Sequence, residues 1–503
     1  MAKINDDVLR LFLDFIEVDA LDSIASAHPV FHEARMASRY ATVRLNKRDR
    51  DSKRFIAHLS QEWVGRHVKS VAIQPWLVDP RTKSPRSKTE NAITRCMEIL
   101  DPHYTKKKAE QRLQKRLTKD TVRVQNALEV MKNVQEYIIE WDGDPNYHPE
   151  FYHAFVLPPL EAWSSHLISL SICLPPSTFN SLARVRLPHL ETLSVQFDTG
   201  NLSESDTMHL YDGFIVFINN LKDSLTSLKV SSTCSSLNLN LSRIFRRMGT
   251  FPRLRKISLS IPFDGGHLPD PLAFADFVAK HHSSLKDLSI VTSRCTAHSK
   301  TGGDPEHVNW IQHILTSFHI PFPRLTAFEV ALRPLRGPLD TLGHFIDMHS
   351  TTLQSLSLAD RGLDVMDLQR LFLSPHMAWD GLHELRFKAQ TVTAPLLTCI
   401  AHLLPDLKAC SLESADVDFE HPSFVPLNLV SSKGGVPVMA ECSTPRSIER
   451  DRHALIHWGL QRLVINTPQN LHSSDKAQHQ MCLLKDKLGA YLPGLNASLF
   501  CKL

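Results

Sequence analysis

One spacing recurs along the chain: apolar-x-x-apolar-x-apolar. It occurs as Leu167-Ile-Ser-Leu170-Ser-Ile172, from Leu190 to Val195 and from Leu225 to Val230. Further copies begin at Leu254, Leu285, Leu325, Leu353, Leu382 and Leu407, so the nine starts lie 23 to 40 residues apart, 30 on average. The last two apolar positions alternate as on one face of a strand. Recurrence at a period of 20 to 50 residues marks a repeat architecture. Pro stands two residues before the first apolar position in Pro188-His-Leu190, Pro252-Arg-Leu254, Pro323-Arg-Leu325 and Pro405-Asp-Leu407. There it stops a preceding helix and favours extended geometry.

Between strands the apolar spacing changes to three and four. Leu210, Phe214, Phe217, Ile218 and Leu221 precede Leu225, and Leu241, Ile244, Phe245 and Met248 precede Leu254. Leu342, Phe345 and Ile346 precede Leu353, and Leu396, Ile400 and Leu403 precede Leu407. Each set lies on one face of a helix. One strand and one helix per repeat predict an α/β solenoid with its strands on the concave side. Weaker copies at Val68/Val71/Ile73, Val134/Tyr137/Ile139 and Leu460/Leu463/Ile465 extend the array, and Pro493–Phe500 reads as a degenerate last copy.

The pattern resembles the irregular, ribonuclease-inhibitor-like leucine-rich repeats over about residues 66 to 500. It departs from them three residues after the third apolar position. That family has Asn or Cys there, whereas this chain has Asp198, Thr233, Pro262, Ser293, Arg361, Gln390 and Ala415, so a regular Asn ladder is not expected. Between the second and third apolar positions the outward residue is Ser171, Ser194, Lys229, Ser258, Ser289, Glu329, Ser357, Arg386 and Ser411. Small hydroxyls suit a crowded sheet face as well as a binding surface. The charged points Lys229, Glu329, Glu384, Arg386 and Lys388 are the candidate substrate contacts.

The first 46 residues differ in character. Asn5 caps a helix whose first turn carries Asp6 and Asp7, and Val8, Leu9, Phe12, Leu13 and Ile16 form its apolar stripe. A second apolar set follows at Leu21, Ile24, Ala25, Val30 and Phe31, and Tyr40, Val43 and Leu45 close the segment. So short a helical module has too little core to stand alone. The segment resembles an F-box: Ile4-Asn5-Asp6-Asp7-Val8-Leu9 matches the opening, Phe12-Leu13 and Phe15-Ile16 the first helix, Asp19-Ala20-Leu21 the middle and Phe31 the end. Asn5 replaces the usual Pro, Asp7 the usual Glu, and His28-Pro29 the common Cys-Arg.

The resemblance implies a substrate-recognition subunit of a cullin-type ubiquitin ligase. The F-box would dock on a Skp-type adaptor through Ile4, Val8, Leu9, Phe12 and Ile16, and the repeats would hold a protein substrate. The alternative is a leucine-rich-repeat interaction scaffold without a ligase link, whose N-terminal helices cap the array. The expected organisation is an all-α F-box-like module over 1–46, a linker over 47–65 and the solenoid over 66–503.

Charge and composition alter this picture little. Apolar residues are 42% and charged residues 22% of the 503, in the globular range. There are 57 Lys and Arg against 53 Asp and Glu. Twelve basic residues face four acidic ones between Arg81 and Lys119, a local excess read as a solvated insert, with a nuclear-localisation signal or nucleic-acid contact as lesser alternatives. Nucleic acid is not an expected partner. No apolar run approaches the roughly 20 residues a membrane helix needs, and no secretory core follows Lys3, Asp6 and Asp7, so a cytoplasmic or nuclear protein is expected. Nine scattered Cys read as reduced, buried thiols, with no zinc spacing. His453 and His457 lack the Glu of a zinc-protease motif, and no phosphate-binding Gly-rich loop or Ser nucleophile motif occurs. Neither catalysis nor a cofactor is expected. The stretch 416–450 reads as an irregular loop.

Overall fold

The computed structural model describes residues 5–13, 15–45, 50–74, 104–140, 155–174, 179–197, 204–234, 236, 238–293, 309–335, 339–373, 379, 381–414 and 458–466. Ile4, the stretch 81–103, the loop 416–450 and the last copy at 493–500 lie outside them. The chain forms two compact units, 1–227 and 228–503.

The first unit opens with three helices, α1 (Asp6–Leu13), α2 (Val18–Ile24) and α3 (Pro29–Tyr40). The His28 side chain caps α3 by accepting from Val30 N, and Pro29 stands in the first turn, where its missing N–H is no loss. Then follow β1 (Thr42–Leu45), α4 (Arg50–Leu59), α5 (Glu62–Gly65), β2 (Ser70–Ile73), α6 (Tyr104–Val130), β3 (Glu136–Ile139), α7 (Leu157–Ala162), β4 (Ser169–Leu174), α8 (Phe179–Leu182), β5 (Thr192–Phe197) and α9 (Glu204–Asn219). Strands β1 to β5 lie side by side in sequence order, and every pair is parallel.

Two expectations change here. Tyr40 at the end of α3 and Val43 and Leu45 of β1, read as the end of the helical module, are the three buried positions of a first repeat copy, with Val43 opposite Val71. The spacing is that of every later copy. Residues 50–59 and 62–65, read as linker, are helices α4 and α5. Tyr40 stacks on Phe55 and packs against His58, with ring centroids 6.2 and 5.8 Å apart. The stripe Phe55, Ile56 and Leu59 makes α4 the helical leg of that repeat. The module therefore runs into the array without a break.

The second unit comprises β6 (Ser227–Ser232), α10 (Leu241–Arg247), β7 (Lys256–Ile261), α11 (Pro271–Ala279), β8 (Asp287–Thr292), α12 (Trp310–Ser317), β9 (Ala327–Ala331), α13 (Asp340–Met348), β10 (Ser355–Leu363), α14 (Val365–Phe372), β11 (Glu384–Ala389), α15 (Ala394–Leu403), β12 (Ala409–Glu413) and β13 (Arg462–Asn466). These strands too follow sequence order, parallel at every pair from β7 onward. The apolar positions fall in register as Ile257, Leu288, Phe328, Leu356, Leu385, Cys410 and Leu463, all buried. Each unit is thus α/β, built from parallel strands and helices in a repeating order. In β10 the ladder shifts between Leu358 and Gly362, and Asp360 takes a left-handed φ of 74°, a conformation Asp tolerates better than most residues.

Strand entry takes two forms. At Leu190, Leu254, Leu325 and Leu407 the strand follows a Pro turn closed by an i to i−3 bond, as from Leu254 N to Phe251 O at 3.1 Å. At Leu167, Leu225, Leu285 and Leu353 it follows a helix end closed by an i to i−4 bond, as from Leu285 N to His281 O at 3.0 Å. Buried His281 and His349 tie one form to the other. Each Nδ1 donates to the carbonyl four residues back, on Phe277 (2.8 Å) and Phe345 (2.7 Å). Each Nε2 accepts the N–H of the Phe that opens the preceding Pro turn, Phe251 (3.0 Å) and Phe322 (2.9 Å). Both rings are therefore neutral, and burial holds their pKa below the ordinary value. Cys173, Cys399 and Cys410 are buried, as expected of scattered thiols, whereas Cys234 is disulfide-bonded.

Candidate functional site

Helix α1 starts where Asn5 Oδ1 accepts from Asp7 N at 3.2 Å and Asn5 O from Val8 N at 3.0 Å. Its buried residue is Leu9, 8% exposed, and Leu21, Ala25 and Val30 of the module are buried as well. Val8 (43%), Leu11 (65%), Phe12 (57%) and Phe15 (86%) are exposed. Their spacing of three, one and three puts them along one side of the helix and the turn that follows it. Thirteen large apolar side chains are exposed among the described residues, and four of them fall within these eight positions. A short helix gains nothing from such a face in water.

Of the five residues expected to dock, Val8 and Phe12 lie on this face and Ile16 is half-buried beyond it. Leu9 faces inward and serves the module's own core, and Ile4 is not among the described residues. Leu11 and Phe15 are exposed on the same face and are not among the five. The signal was present as 8/11/12/15 spacing, but the inward Leu9 and the outward Phe12 look alike as members of one apolar stripe.

On the sheet face of the second unit opposite the apolar row, Ser258, Ser289, Glu329, Ser357, Arg386, Ser411 and Val464 are successive register partners, with Ser258 and Ser289 buried and Arg386 exposed. Glu384, Arg386 and Lys388 alternate along β11 on this face. Glu384 accepts from Arg386 (Nη2 2.7 Å, Nε 3.0 Å), from Ser355 Oγ (3.2 Å) and from Arg462 Nη2 (3.4 Å), which reaches across Ala409. Burial alone would raise its pKa, but these donors outweigh that and hold the carboxyl below its ordinary value.

Glu329 accepts from Ser289 Oγ at 2.6 Å, and in the first unit Glu136 takes Ser70 Oγ at the same distance. In all three Ser–Glu pairs the Ser donates to the residue directly opposite on the following strand. Glu329 and Glu384 are thus engaged within the sheet, while Arg386 and Lys229 are exposed. Lys388 lies opposite Gly362 and Glu413. The Lys256–Asp287 pair (2.6 Å) and Arg462 were missed, although they stand two residues before the row already read and share its face.

Among the described residues no group of three or more His, Cys, Asp or Glu side chains is placed to hold a metal, and no helix is long and apolar enough to cross a membrane. What these observations define is a class: an α/β repeat protein with an N-terminal three-helix segment that exposes an apolar face. No family model and no curated protein matches the chain.

Proposed function

We propose that the chain is a substrate-recognition subunit of a cullin-type ubiquitin ligase, in which α1 to α3 form an F-box that docks on a Skp-type adaptor and the leucine-rich repeats carry the substrate. The observation behind this reading is the exposed Val8/Leu11/Phe12/Phe15 face at the position where the F-box resemblance puts the adaptor contact. Burying two Phe side chains contributes about 1.5–3 kcal/mol each, sufficient for these residues to dominate a helix-in-groove contact. The chain would then act by proximity, raising the substrate's effective concentration beside the ubiquitin-carrying subunit. Substrate would meet the sheet face, where Lys229, Arg386 and Arg462 offer exposed cations.

Co-purification with a Skp-type adaptor tests this, comparing wild type with Phe12→Asp/Phe15→Asp. Both side chains are exposed, so the variant keeps its fold; Leu9→Asp would put a charge in the module's core and confound the result. The scaffold alternative draws on one observation, that α3 runs directly into β1 and packs on α4, as a capping element would.

A further inference from the structure

Beside α2, α3 and α5 lies an open cleft of about 520 Å3, wholly within the first unit. Its size is typical of small-ligand pockets. It is independent of the docking face on α1, and the proposed function makes no use of it. Apolar groups make its base: Ala25 and Met36 are buried, and Trp63 stands at the side 47% exposed, its edge against His58 at 5.3 Å. Its polar lining is Ser26, His28, His32, Glu33, Arg66 and His67. Arg66 Nε donates to His67 Nε2 at 3.3 Å, which leaves the hydrogen of that neutral ring on Nδ1. Burial, with Arg66 adding to it, holds the His67 pKa below its ordinary value, so the ring stays neutral near pH 7. Arg66 Nη2 lies 3.5 Å from Glu33, the one carboxylate among the described lining residues, and both side chains are more than half exposed.

We propose that this cleft binds a small aromatic monocarboxylate, its ring on Trp63 and its carboxylate on Arg66 and His67. A guanidinium and an adjacent ring N–H supply the donors a carboxylate accepts. The flat apolar body follows from the indole and the Met36 floor. A single negative charge follows from Glu33, which already shares Arg66 and would repel a dianion. Because Glu33 competes with the ligand, its removal tightens binding, a sign that a nonspecific apolar site does not produce.

The test is 19F NMR of the full chain labelled with 5-fluorotryptophan, which gives seven resonances, one assigned to Trp63 through Trp63→Phe. Titration with 1-naphthoate is compared with the neutral 1-naphthalenemethanol. A saturable shift of the Trp63 line by naphthoate is expected. Arg66→Met should weaken it roughly tenfold and Glu33→Gln should strengthen it about two- to fivefold, the range of one charge-assisted contact partly screened by solvent. No shift at millimolar naphthoate, an equal response to the neutral analogue, or insensitivity to both substitutions overturns the proposal.

Discussion

His281 and His349 each join a helix end to the backbone of the repeat before it, and both must be neutral to do so. A protonated Nε2 cannot accept the N–H of Phe251 or Phe322, and an unpaired buried N–H costs about 1–3 kcal/mol. Both pKa values lie below the ordinary 6.5, so the unfolded chain binds these protons more readily than the folded one. Stability therefore rises with pH up to about 6.5 and falls as the pH drops below it. Urea unfolding at pH 5.5 and 7.5 should show a smaller difference for His281→Gln/His349→Gln than for wild type, with the variant also less stable at pH 7.5. An unchanged pH difference would contradict the clasp. A histidine at a helix end such as His281 is ordinarily expected to be charged, because a cation suits the dipole there. The partner N–H lies 30 residues back in the chain, beyond the reach of any local pattern, so the neutral role was not legible.

At the scale of elements, the strands were legible because three buried side chains per copy keep one spacing through repeats of very different length. Tyr40-x-x-Val43-x-Leu45 keeps it too, yet it was assigned to the helical module because it directly follows the apolar pattern of α3. The helix over 50–59 was missed because its polar face, with Asp51, Lys53 and Arg54, resembles a solvated linker. Helix contacts were less legible still. Gly213 in α9 approaches α8 so closely that a Cβ there would meet Asn180 Cα at 2.5 Å. Gly213→Ala should thus destabilise by about 1–3 kcal/mol, as overpacking does, although Ala is the better helix former. A thermal melt no lower than wild type would show that the helices separate freely. In α1, Leu9→Ala should lower stability by about 2–5 kcal/mol, the range for removing a buried Leu side chain. Leu11→Ala should be near neutral, since that side chain is exposed in the unbound chain. Equal melting temperatures for the two would mean that α1 does not pack as described.

For the molecule as a whole, the repeat class follows from sequence and structure alike, because parallel strands in sequence order require the periodicity that the apolar positions display. Function is less legible. On the sheet face, two of the five candidate substrate contacts, Glu329 and Glu384, are already held by Ser289 and Ser355, which no sequence spacing discloses. Lys229→Ala should therefore weaken substrate capture more than Glu329→Ala, whose carboxylate is already engaged within the sheet, as a pull-down with an identified substrate would measure. The helical module is the part on which the account depends. Leu11 and Phe15 matter only if a partner covers them, and the proposed partner is specific. The most direct test is stoichiometric co-purification of the full chain with a Skp-type adaptor. The account predicts a 1:1 complex with wild type, retained by Arg386→Ala and lost in Phe12→Asp/Phe15→Asp, with the melting temperature of the free variant unchanged. A well-folded wild-type chain that captures no adaptor, or a double variant that captures it as well as wild type, would contradict the account and leave α1 to α3 as the cap of a binding scaffold.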